Sequence, residues 1–155
     1  MPDQLHPDGI ARFVEPGRFT FIAPHRAEDV LWTLEEVLRA GNVPLVVGDL
    51  SGYPALTPVR RMHLAAETGA ARSGHPPLGI ILTPDHGGAS GVESRWHMVP
   101  AHSGQRNLWS LTRIRARTAP PKSWEIGLGE KGFGLQKDIP RSHFDGLGRW
   151  MAEAS

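Results

Sequence analysis

The sequence has no cysteine. Disulfides, thiolate nucleophiles and thiolate zinc sites are therefore excluded, and the absence fits a reducing cytoplasm, the expected location. No apolar run approaches the roughly 20 residues needed to span a bilayer. The first residues, Met1–Gly9, have neither the basic start nor the apolar core of a secretory signal, so none is expected. An excess of one charge is missing too. The 17 Lys and Arg stand against 16 Asp and Glu, a formal net charge of +1, which gives no global attraction to nucleic acid or membrane. Any DNA contact has to rest on a local patch.

Nucleotide and catalytic signatures are also lacking. A P-loop needs glycines whose neighbours cradle phosphate, followed by a lysine for the β/γ oxygens. None of the 18 glycines is followed by lysine, and a dinucleotide-binding G-x-G-x-x-G, running from a strand into a helix, is also missing. Asp49, after Val46-Val47-Gly48, stands where such enzymes place a metal-holding acid, but without a cradle it reads as a loop aspartate. Gly88-Ala-Ser90-Gly91 is not the G-x-S-x-G of a nucleophile elbow. The eight histidines are scattered. His97 and His102 are five apart with no carboxylate to complete a set, and they read as loop or surface residues. No catalytic residue, nucleotide site, metal or cofactor is expected.

What is present has the length of one domain, punctuated by 18 Gly and 14 Pro spread along 155 residues. Arg18–Ala23 is a short β-rich run that reads as a strand ending at Pro24. From Ala27 to Ala40 apolar residues fall at helical spacing, with acids in the first turn, Arg39 in the last and Gly41 as the stop. Val43–Val47 is an unbroken apolar run, expected as a strand covered on both faces. Thr57-Pro58 predicts an N-cap with proline at the first helical position, opening a helix through Ala70. Leu78–Leu82 is a third strand. This order predicts an α/β fold, a parallel βαβαβ sheet over 18–84 with helices. After the glycine-rich stretch Asp85–Gly91, strands at Arg95–Val99, Leu108–Arg117, Lys122–Leu128 and Phe133–Lys137 predict an antiparallel meander over 94–137 that extends the parallel sheet. An N-terminal segment, 1–17, precedes this single domain, and a tail from Pro140 carries Phe144, Leu147, Trp150 and Met151 at rough helical spacing.

Two features stand above this background. Between Ser94 and Lys122 there are six basic residues and no acidic one. Strict alternation along Leu108–Arg117 puts Arg113, Arg115 and Arg117 on one face with Trp109 and Leu111. That row is either a solvated face that discourages edge pairing or a patch for phosphate or an acidic protein surface, with at most weak, salt-sensitive DNA contact. Trp32 lies among Glu28, Asp29, Glu35, Glu36 and Arg39 at helical spacing, on the polar side of its helix. It either covers a loop or anchors a partner. The candidate partner- or phosphate-binding residues are thus Trp32, Arg113, Arg115, Arg117, Phe144 and Trp150.

The strings Arg26–Gly41, Leu45–Leu50 and Arg60–Glu67, in that order, resemble the ImuA family of RecA-like inducible-mutagenesis proteins. Arg113–Ile126 is similar to the late hairpin of RecA. There, two lysines reach across the filament interface to a neighbour's nucleotide, and Arg115 and Arg117 match their positions. The resemblance covers roughly residues 10–137 and implies a RecA-like core without its P-loop element, as a natural short form or a fragment. It also implies a non-catalytic accessory role in SOS-induced, error-prone translesion synthesis. The expected partners are a Y-family-like polymerase subunit and the mutagenic replicative-type polymerase it bridges to. SulA, the division inhibitor that binds the tubulin-like division protein, resembles residues 25–84 and is the alternative. Its shorter chain lacks the long hairpin with Trp124.

Overall fold

A computed structural model describes residues 5–139 except 12, 86, 87, 105, 130 and 131. A single helical turn, α1 (Pro7–Ile10), and a 3-10 turn at Pro16–Arg18 come first. Each opens on proline, whose missing N–H has no acceptor in a first turn anyway. Residues 19–26 form no strand, against the sequence expectation. The chain there is extended enough for Phe19 and Phe21, two residues apart, to stack at 5.9 Å. Their rings remain exposed and, among the described residues, no neighbouring strand pairs with them. β-propensity describes a fit to a ladder, and none is offered to this segment.

α2 (Ala27–Ala40) forms as predicted, with Glu28 and Asp29 in its first turn, Arg39 in its last and Gly41 closing it in the left-handed region at φ +72°. β1 (Leu45–Asp49), α3 (Leu56–Ser73) and β2 (Leu78–Leu82) follow. Thr57 does not cap α3. Ala55 holds the cap position without a side-chain bond, so Pro58 falls third in the helix, where its lost N–H is still one of the unpaired four.

β1 and β2 pair in parallel, Leu45 opposite Leu78 and Asp49 opposite Leu82. The core lies between these strands and the two helices, built on Leu34, Leu38, Val59, Met62 and Ala65, with Val46 and Ile81 reaching it from the strands. Glycines set the spacing. A Cβ on Gly48 would lie 2.5 Å from Leu34 Cδ1, and one on Gly69 would lie 2.0 Å from the Leu38 carbonyl oxygen. The helices are also tied by charge. Glu35, 5 % exposed, accepts from Arg39 on its own helix and forms an ion pair with Arg61 of α3 at 2.7 Å. Hydrogen bonding to Glu35 first, with Glu36 adding to it, holds the Arg39 guanidinium above its ordinary value.

β3 (Ser94–Pro100), β4 (Leu108–Ala116), β5 (Lys122–Gly129) and β6 (Gly132–Ile139) form the antiparallel meander in sequence order. They do not extend the parallel sheet. Among the described residues β2 pairs only with β1, and β3 only with β4. The fold is therefore mixed α/β, with a two-stranded parallel sheet and a separate four-stranded antiparallel one. No helix among the described residues is long and apolar enough to cross a membrane.

Candidate functional site

Three surfaces carry the chemistry. The first is the sheet face away from the helices. In β1 and β2 the alternation sends Val46, Gly48 and Ile81 towards α2 and α3, and Leu45, Val47, Leu78, Ile80 and Leu82 to the opposite side. Those five are 38–57 % exposed. The apolar run at 43–47 is thus covered on one face only. Neither outer edge of this two-stranded sheet is paired among the described residues.

The second surface is one face of the meander. Trp96 of β3 is the register partner of Arg113, and Arg113 of Lys122. The Trp96 and Trp124 rings stack at 5.6 Å. Arg113 lies over both, 5.6 and 5.3 Å from their centroids, and its Nε and Nη2 donate to the Pro120 carbonyl at 3.0 and 2.9 Å. Arg113 is therefore fixed by two ring faces and a carbonyl. Towards the other end Trp109 meets Phe133 edge-on at 5.2 Å, and Phe13 stacks on Phe133. His102 is structural here: its Nδ1 accepts from the Leu108 N–H at 3.2 Å and its ring meets Trp109 edge-on.

The arginine row predicted from alternation does not exist. The register pairs Arg95 with Arg115 and Trp96 with Arg113, so two β3 residues face three of β4 and Ile114 is an extra residue. Adjacent residues of a strand point to opposite faces, and their partners follow them. A bulge thus turns Arg115 away from Arg113. Arg113 stays with the tryptophans, whereas Arg115 and Arg117 join Arg95 around the third surface, a pocket of about 110 Å³ floored by Ala89, Gly91 and Val92. Arg95 Nη2 donates to the Ala89 carbonyl at 3.1 Å, and Arg117 Nε lies 3.4 Å from Glu93. Sequence reasoning counted Arg95 within the basic stretch but not among the candidate site residues, and missed this loop. Gly91, at φ +83°, was a signal that the chain turns back there.

Of the other candidates, Trp32 stands on the outer side of α2, 59 % exposed. It is on a different element from Arg113, Arg115 and Arg117 and in none of the ring contacts among the described residues. Phe144 and Trp150 lie outside the described residues. Asp49 ends β1 and lines an open pocket of about 350 Å³ with His25, Arg26 and Ser51. That is the strand end where open α/β sheets bind ligands. No group of three or more His, Asp or Glu side chains is placed to hold a metal ion among the described residues. Compared with known proteins, the chain matches no family model and no curated sequence.

Proposed function

We propose that the chain is a non-catalytic interaction module with a RecA-like core, acting as an accessory factor in SOS-induced, error-prone translesion synthesis. The observation that carries the interaction reading is the open face of β1 and β2. Two strands alone are marginal in water, and parallel strands are ordinarily covered on both faces. Here five apolar side chains face outward, 38–57 % exposed, beside unpaired edges. Full burial of such side chains is worth about 1.5–3 kcal/mol each. Half-exposed, five of them offer a partner about 5 kcal/mol before ordering costs. The ImuA-like strings supply the biological assignment. The partner is a Y-family-like polymerase subunit, which bridges to the mutagenic replicative-type polymerase. Absence of a phosphate cradle in the sequence supports a role without nucleotide hydrolysis.

Calorimetric titration of the chain against that polymerase subunit and, in parallel, against the tubulin-like division protein, at two salt concentrations, tests the assignment. Saturable heat with the polymerase subunit alone is expected. Binding to the division protein alone transfers the chain to the SulA-like reading, and silence from both refutes the accessory role.

A further inference from the structure

We infer that the pocket between the 89–92 loop and the bulged end of β4 is a binding site for a phosphate group. This does not rest on the proposed accessory role. Three guanidinium groups, Arg95, Arg115 and Arg117, line a cavity of about 110 Å³, a volume suited to one phosphate rather than to a nucleotide. The neighbouring acid, Glu93, sits 3.4 Å from Arg117 Nε and is 58 % exposed, so the cluster keeps a formal charge of two. Arg115 has no carboxylate partner among the described residues.

A second observation points to a missing acceptor. Arg95 Nε is buried and has no hydrogen-bond partner among the described residues. A buried donor left unpaired is costly, more so when charged, and an ion or water accepting from it relieves that cost. The loop does not satisfy it. Its Ala89 carbonyl already accepts from Arg95 Nη2, and its Gly91 carbonyl lies 3.0 Å from His63 Nε2. With these acceptors engaged, what the pocket presents is chiefly donors. Guanidinium forks match the tetrahedral oxygens of phosphate, and such charge-assisted bonds are short and strong. The Ile114 bulge gives the arrangement its reason: without it Arg115 would stand on the tryptophan face.

The phosphate can be free, a monoester, or part of a nucleic-acid backbone, and the experiment separates these. The full chain is titrated with inorganic phosphate and, separately, with a short single-stranded oligothymidine lacking a terminal phosphate. Arg115→Gln/Arg117→Gln and Arg106→Gln are compared; Arg106 carries a charge outside the pocket. Wild type is expected to bind phosphate with a Kd of about 1 mM or below. The double variant should lose at least tenfold while keeping the wild-type circular dichroism, and Arg106→Gln should bind as wild type. Oligonucleotide binding displaced by phosphate assigns the pocket to a backbone, and phosphate binding alone assigns it to a free ion or monoester. The proposal is overturned by no saturable phosphate binding, by equal loss in Arg106→Gln, or by oligonucleotide binding that phosphate does not displace.

Discussion

Replacing Gly69 by alanine tests the helix pair through the sign of its effect. Gly69 lies inside α3 (Leu56–Ser73) and is buried. In an open helix, Gly→Ala is stabilising by about 1 kcal/mol, because the glycine backbone loses more freedom on folding. Here the added Cβ would sit 2.0 Å from the Leu38 carbonyl oxygen and 3.1 Å from the Gly41 α-carbon. Both obstacles are backbone, so no rotamer change relieves the contact and the helices must separate. Overpacking of that kind costs about 1–3 kcal/mol, and separation also loosens Leu38 from the core. We expect a net loss of about 1–2 kcal/mol after the helix-propensity gain is subtracted.

Urea unfolding followed by far-ultraviolet circular dichroism reads this as a lower midpoint at unchanged slope. Thermal unfolding should read it as a fall of about 2–4 °C per kcal/mol in a domain of this size. Gly41→Ala wedges the same gap from the other side, its Cβ 2.4 Å from the Gly69 carbonyl oxygen, and adds a left-handed φ of +72°. It should cost more than Gly69→Ala. Once one wedge has parted the helices the second meets less resistance, so the double variant should lose less than the sum. A raised midpoint for Gly69→Ala would refute the close approach of α2 and α3, and with it the placement of Glu35 between them.

Leu78→Asp, at a site 57 % exposed, should leave the melt within about 0.5 kcal/mol of wild type yet abolish partner heat; retained binding excludes the β1–β2 face. Trp32→Ala should likewise spare stability and leave partner affinity within about twofold, because Trp32 stands on the outer side of α2 and not on the β1–β2 face; a tenfold loss would move the partner to α2. Glu35→Gln should destabilise by about 1–2 kcal/mol, below the usual cost of breaking a buried pair because both arginines are partly solvated; denaturant midpoints would show it. Deleting Ile114 should restore regular register in β4 and abolish phosphate binding while the meander's strand signal persists; retained phosphate affinity would mean the bulge does not aim Arg115.

The elements legible in the sequence were those whose pattern is fixed by their own residues. The 27–40 helix shows its apolar stripe, its first-turn acids and its terminal glycine within one stretch, and its bounds match the structure. Val43–Val47 and Leu78–Leu82 read as strands because few other structures suit so many branched residues, and the first forms two residues further on, at Leu45–Asp49. Trp32 read as leaning outward because its neighbours at helical spacing are acids. What could not be read was set by pairing. Arg18–Ala23 has the composition of a strand and no ladder to join. Val43–Val47 was expected to be covered twice because a buried run and a run awaiting cover look the same in sequence. The meander was expected beside β2, since nothing local says where a sheet ends.

The bulge at Ile114 shows what turns on such pairing. A regular β4 would have lined up Arg113, Arg115 and Arg117 beside the tryptophans, a cationic stripe suited to several phosphates of a polyanion with bases stacked on the rings. One extra residue divides that charge. Arg113 is spent on Trp96, Trp124 and the Pro120 carbonyl, leaving an aromatic face whose central cation is already held. Arg115 and Arg117 join Arg95 around about 110 Å³, which turns a stripe into a point. A stripe gains affinity by releasing many counterions and so weakens steeply with salt. A point site gains by orienting donors on one group, and it discriminates by geometry. The three arginines therefore select a single oxyanion, and the apolar face of β1 and β2 is left as the surface on which a protein partner would be recognised.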